Sequence, residues 1–138
     1  MRAKQPMTRR GFVATTGMAA GAAFSAPAIL GAAEKGAGKR FKIGLIGCGG
    51  RGCGAVADAL EAGKILGVDV QVTALADYFL ERAQRAAQRF GVPAARCFGG
   101  AKGYHDLLET DVEIVLIAAA PLFRPLQLEA AVKAGKHV

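Results

Sequence analysis

Between residues 41 and 138 the apolar positions switch back and forth between two periods. Phe41–Ile46 is a short, mostly apolar run, the pattern of a strand covered on both faces. It opens onto glycines, and beyond them Ala55, Val56, Ala59 and Leu60 recur at helical spacing. This predicts a helix over about Gly50–Ala62, stopped by Gly63. Val70, Val72, Ala74 and Ala76 then alternate, predicting a strand over Val68–Ala76. The next helix follows Asp77 with Leu80, Ala83, Ala87 and Phe90 on its inner face, and Gly91 ends it with Pro93 beyond. Arg96–Phe98 reads as a short strand, Tyr104–Leu108 as a small helix, Val112–Ala118 as a buried strand, and Pro125–Ala134 as a helix halted at Gly135. His137-Val138 begin a fifth strand. Strands alternating with helices predict an α/β fold, a doubly wound parallel sheet with about four strands plus the start of a fifth.

Upstream the pattern is different. Residues 11–33 carry no charged side chain, and more than half of them are Ala or Gly. So small an apolar content gives little insertion free energy, and Pro27 breaks the run near its end, so a cleaved leader fits better than a membrane span. Thr8-Arg9-Arg10-Gly11-Phe12-Val13 looks like a twin-arginine export signal. We therefore expect a signal peptide over residues 1–33, the twin-arginine export machinery as a partner, and a periplasmic or extracytoplasmic location. An uncut leader would make the chain a membrane-anchored binding module. Glu34–Arg40 is expected to be a polar linker.

Charge changes the picture little. The chain carries a formal +7, but residues 1–33 hold Arg2, Lys4, Arg9 and Arg10 and no acid, so the other 14 basic and 11 acidic side chains leave only +3. No stripe of aromatic and basic residues accompanies it, and no nucleic acid is expected as a partner. Cys48, Cys53 and Cys97 are odd in number and read as small buried or half-buried side chains rather than as a disulfide framework. Nothing in the sequence suggests a metal site.

The candidate chemistry lies where the first strand meets the first helix. Ile46-Gly47-Cys48-Gly49-Gly50-Arg51-Gly52 has the G-x-G-x-x-G spacing of a phosphate-gripping turn in a Rossmann-type unit. Gly47 permits a sharp bend, Gly49 lets the main chain approach a diphosphate, and Gly52 allows close packing of the helix. The N–H groups at the helix start then face the phosphates. Asp77 lies 25 residues after Gly52, at the end of the second strand. A carboxylate there accepts hydrogen bonds from the adenosine ribose and repels a 2′-phosphate, favouring NAD; Arg51 and Arg82 offset that repulsion and leave NADP open. Asp77 as an N-cap of the following helix is the competing reading, using the same oxygens. Arg82, Arg85 and Arg89 read as a solvated helix face, with Glu81 pairing to Arg85.

Three stretches resemble the Gfo/Idh/MocA oxidoreductases: Lys42–Gly52, Ala74-Leu75-Ala76-Asp77, and Asp111–Val138, which reads DVEIVLIAAAPLFRPLQLEAAVKAGKHV. The resemblance covers residues 41–138, the NAD(P)-binding Rossmann domain. It implies that the loop after the fourth strand borders the cofactor, here Ala118, Ala119, Ala120 and Pro121. Ala119-Ala120 stand where the family has Thr-Pro, and Arg124 stands where other members have His. The family's Glu-Lys-Pro motif and its second, substrate-binding domain would follow Val138, so the domain is expected to be truncated, inactive alone and without catalytic residues, and His105 and His137 do not replace them. The implied parent is an exported NAD(P)-dependent dehydrogenase of a secondary alcohol on a sugar or cyclitol. A sugar-like substrate and any oligomer then belong to a full-length form. The alternative is a small, non-catalytic nucleotide-binding protein.

Overall fold

The computed structural model describes residues 40–138. The expected leader and nearly all of the expected linker lie outside the described residues. Arg40, the last linker residue, is instead the first residue of β1 (Arg40–Ile46), where it pairs with Asp69. There follow α1 (Gly50–Leu66), β2 (Asp69–Asp77), α2 (Leu80–Phe90), β3 (Cys97–Gly99), α3 (Gly103–Leu108), β4 (Ile114–Ile117) and α4 (Arg124–Lys133). The strands form one parallel sheet in the order β3-β2-β1-β4. His137 adds a parallel bridge to Ile114 on the free side of β4, so the fifth strand begins where the sequence expects it.

The sheet separates two apolar layers. Leu45, Val56, Val72, Leu75, Ala83 and Ala87 pack on the side of α1 and α2. Ile46, Ala74, Ala76, Leu107, Val115 and Ala131 pack on the side of α3 and α4. Adjacent strand residues such as Leu45 and Ile46 face opposite layers, as the pleat requires. The alternation in β2 does not run unbroken, however. The register shifts between Ile43 and Gly44, so that Ile43 pairs with Val72 and Gly44 with Ala74. Across that irregularity Val72 belongs to the first layer and Ala74 and Ala76 to the second. An extra residue in one strand carries the side-chain alternation to the other face.

One predicted helix end moves. α1 runs past Gly63 and stops at Gly67, whose φ of 68° provides the left-handed cap. Gly63 is buried within the helix, and a Cβ there would lie 2.6 Å from Val70 Cγ2. It is the point where α1 touches β2, not a stop signal. Gly91 caps α2 with φ 70°, as expected. Among the described residues no helix is long and apolar enough to cross a membrane.

Candidate functional site

The carboxyl ends of β1, β2 and β4 and the start of α1 converge at one edge of the sheet. A chain that leaves β1 must turn into α1 without meeting the end of β4, and Gly47 makes that possible. Its φ is +94°, and a Cβ on it would lie 2.6 Å from the Ala119 nitrogen and 2.7 Å from the Ala118 carbonyl carbon. Any side chain here would be strained in backbone and blocked in space. Gly52 is closed off in a different way, since its Cβ would overlap the Gly47 carbonyl oxygen. At Gly49 the reverse holds: a Cβ would meet nothing within 4 Å, so this main chain borders open space. The first helical hydrogen bond of α1 runs from Cys53 N to Gly49 O at 2.9 Å. The N–H groups of Gly50, Arg51 and Gly52 therefore precede the ladder and have no acceptor within the helix. That is a cradle for an anionic group.

Asp77 joins the two sides of this cradle. Its Oδ2 accepts a hydrogen bond from Cys48 N at 2.8 Å, and its Oδ1 accepts one from Phe79 N at 2.9 Å. The N-cap of α2 is Phe79, without a side-chain cap, so Asp77 closes a turn two residues ahead of itself rather than capping the helix. The expected competition between protein and ribose disappears, because a carboxylate has about four acceptor positions and the protein occupies two. The Cys48 thiol lies against the same carboxylate. Burial, then the Asp77 charge, pushes its pKa up to about 12, so it is held as an inert thiol donating to Ala76 O. Burial also raises Cys97, and all three cysteines are free.

A cleft of about 660 Å³ opens beside the turn, within the range of ligand pockets. Ile46, Gly47, Gly49, Asp77, Ala118, Ala119 and Ala120 line it, as expected from the sequence. Cys48 and Gly50 line a second depression together with Gly49 and Cys53. Arg51, Gly52, Pro121 and Arg124 line neither among the described residues. Gly52 is packed beneath the turn, and Arg124 donates from Nε to Ala119 O at 2.7 Å. Arg124 thereby braces the loop after β4 instead of reaching into the cleft.

The arginines of α2 do more than the sequence suggests. Arg85 donates from Nε to the main-chain oxygen of Glu81, not to its carboxylate. Arg82, Arg85 and Arg89 all line the second depression, beside Gly49 and Gly50. Three arginine side chains therefore border the depression beside the anion cradle, and their positive charge favours an anionic ligand there. Arg82 also borders the main cleft, with its Cζ 4.7 Å from the centroid of the Phe79 ring. Periodicity marked this stripe as the polar face of a helix but could not show what lies across from it. Tyr78, Phe79, Tyr104, Phe123 and Gln127 also line the cleft and escaped the sequence reading. Two signals were available: an aromatic pair directly after Asp77, and a polar residue on the inner face of the last helix, one turn before Ala131.

Comparison with known proteins agrees with this geometry. Residues 41–138 match the family described as an oxidoreductase family with an NAD-binding Rossmann fold. The chain is 35% identical over 101 residues to a glycosyl hydrolase family 109 protein from Phocaeicola vulgatus, covering 70% of this chain and 18% of that one. It is 32% identical over 99 residues to dTDP-3,4-didehydro-2,6-dideoxy-alpha-D-glucose 3-reductase from Actinomadura kijaniata, covering 71% and 27%. The chain thus spans under a third of the length of either relative. Among solved structures, a 3-ketoreductase from Actinomadura kijaniata in complex with NADP superposes with a TM-score of 0.56 at 32% identity, over 72% of this chain and 29% of that one. Levoglucosan dehydrogenase in complex with NADH does so with a TM-score of 0.58 at 25% identity, over 72% and 26%.

Proposed function

Because the chain belongs to the Gfo/Idh/MocA oxidoreductase family, we propose that it is the cofactor-holding part of an exported dehydrogenase acting on a secondary alcohol of a sugar or cyclitol. The observation that carries this reading is the Gly47–Asp77 arrangement: a cradle bordered by main chain, closed by a carboxylate and flanked by arginines. Bound nicotinamide dinucleotide would supply the hydride donor or acceptor. The chain's own part is to hold it. The N–H groups of Gly50, Arg51 and Gly52 meet the diphosphate, and Arg82, Arg85 and Arg89 offset its charge. The free acceptor positions of Asp77 meet the adenosine ribose, and the Ala118–Ala120 loop, braced by Arg124, forms the opposite wall. NAD is the favoured partner because a carboxylate repels a 2′-phosphate, while the guanidinium of Arg82 keeps NADP within reach. Sugar relatives support the substrate class: one is a reductase of a dTDP-linked sugar and another a levoglucosan dehydrogenase.

Tyr78 and Tyr104 are the hydroxyl-bearing side chains that line the cleft. His105 and His137 are both exposed and line neither depression. Export follows from the Thr8–Val13 pattern, and a cofactor made in the cytoplasm suits a route that carries folded, loaded protein.

Calorimetric titration of the chain with NADH and NADPH tests the binding step. Saturable uptake of at least one is expected, and none at millimolar ligand would refute the reading. Fractionation of cells expressing the chain with Arg9→Lys and Arg10→Lys tests export. Retention in the cytoplasm is expected, and unchanged export would refute the route.

A further inference from the structure

Cys48 precedes the N-cap Gly49, and Cys53 is the fourth residue of α1, so the pair occupies the two positions whose side chains meet across a helix start. Both line the second depression, a hollow of about 570 Å³ where α1 begins beside α2. The two thiols differ in access. Cys48 is buried, whereas Cys53 is half-buried, with its Sγ 3.6 Å from Cys48 O. Cys97 is half-buried as well but lines neither depression. Arg82, Arg85 and Arg89 are all exposed and line the same hollow as the two thiols. Among the described residues none of these arginines pairs with a carboxylate, and Arg85 reaches only a main-chain oxygen. An accessible thiol thus shares a hollow with three cations that the protein leaves uncompensated, and their field gathers anions there.

We propose that Cys53 is a site of S-thiolation by an anionic low-molecular-weight disulfide, whose carboxylates are received by the arginines of α2. The Cys53 thiolate attacks one sulfur of the disulfide, and the S–S bond of the reagent breaks as the new one forms. One half of the reagent stays on Cys53. The other leaves as a thiolate and takes up the proton that Cys53 lost. The reagent's disulfide is the oxidant, so no further one is needed. Cys48 is the neighbouring thiol placed to displace the adduct, but burial and the Asp77 charge keep it protonated. The adduct therefore persists instead of collapsing into a bridge between the two cysteines. Its consequence rests on the nicotinamide-dinucleotide reading. The adduct fills the hollow beside Gly49 and Gly50, and its carboxylates take up the charge of the arginines. The diphosphate then loses both room and field, so modification and cofactor compete.

The test treats the full chain at pH 8 with glutathione disulfide, which is anionic, or cystamine, which is cationic, and follows each cysteine by mass spectrometry of unreduced peptides. The ratio of the two rates at Cys53 is compared with the same ratio for the chain unfolded in urea. Folding is expected to shift it about tenfold toward glutathione disulfide, and a variant carrying Arg85→Gln and Arg89→Gln should lose that shift. The glutathione adduct should lower NADH affinity by about tenfold, with recovery on reduction, and Cys53→Ser should abolish both the adduct and the loss. Saturating NADH should slow the reaction by a similar factor. Reaction at Cys48 or Cys97 ahead of Cys53, a Cys48–Cys53 bridge as the product, or a rate ratio that folding leaves unchanged overturns the assignment. So does a charge preference that survives in the arginine variant. An adduct that leaves NADH affinity intact overturns the competition. Failure of the untreated chain to take up NADH sinks the cofactor reading alone, because the position and charge preference of the adduct are read without it.

Discussion

Removing the Asp77 carboxylate should weaken the fold and the cofactor site together, and the two effects can be separated. Asp77 is 9% exposed at the end of β2, with Cys48 N at 2.8 Å and Phe79 N at 2.9 Å from its two oxygens. A hydrogen bond to a charged acceptor contributes about 1.5–3 kcal/mol when its partner would otherwise be buried and unpaired. Cys48 is buried, so its N–H loses that amount in Asp77→Ala. Phe79 is 50% exposed and water replaces its acceptor, at a cost of about 0.5 kcal/mol. The expected loss is about 2–3.5 kcal/mol for Asp77→Ala. Asp77→Asn keeps one acceptor and should lose about half as much, roughly 1–2 kcal/mol. For a domain of this size, Asp77→Ala then lowers the thermal midpoint by about 10–25 °C. Urea unfolding and scanning calorimetry at neutral pH, without ligand, read this directly. Parallel titrations below the variant's transition should show NADH affinity falling and the NADPH-to-NADH affinity ratio rising, since the carboxylate no longer opposes a 2′-phosphate. An Asp77→Ala midpoint within about 2 °C of the parent would refute the clasp and require both N–H groups to find other acceptors.

Three further outcomes follow from the same contacts. Gly63→Ala and Gly54→Ala, both within α1, should have opposite signs. The first forces a Cβ to 2.6 Å from Val70 Cγ2 and destabilises by about 1–3 kcal/mol, whereas the second meets nothing within 4 Å and stabilises by about 1 kcal/mol, both measurable by urea unfolding. Hydrogen bonds from Lys42 at 2.7 Å and Arg96 at 2.5 Å hold the exposed Asp111 carboxyl well below its ordinary range. A depressed folded pKa gives stability that is present above about pH 4 and is lost as pH falls below it, so Asp111→Asn should flatten the acid limb of the unfolding profile, and added salt should do the same. Cys48, with its thiol pushed up to about 12, should resist iodoacetamide at pH 8 in the folded chain and react in urea, as read by mass spectrometry of the peptides.

The order of elements was legible because it is written locally. An apolar run at Phe41–Ile46, alternation through Val70 and Val72, and helical spacing after Asp77 each report one element's own period, and strands alternating with helices permit few sheets. The turn was legible too, since Gly47 and Gly52 are demanded by steric contacts that only a missing Cβ relieves. What a period cannot report is the element lying opposite. Gly63 reads as a helix stop until β2 is placed beneath it, and its packing against Val70 then explains why the helix runs on to Gly67. The arginines of α2 form a polar face in any sequence plot, and only the packing of α2 beside α1 turns that face toward the anion cradle. Asp77 looked divided between two roles until the fold showed two of its acceptor positions taken by Cys48 and Phe79 and the others left over. Gln127 is an ordinary helical residue in sequence, and burial on the inner face of α4 is what leaves its oxygen without a partner. Residue order determined the strands, helices and glycine turn; contacts between residues far apart in the chain decided which side chains line the cleft. Those contacts depend on register and packing, which no local period encodes.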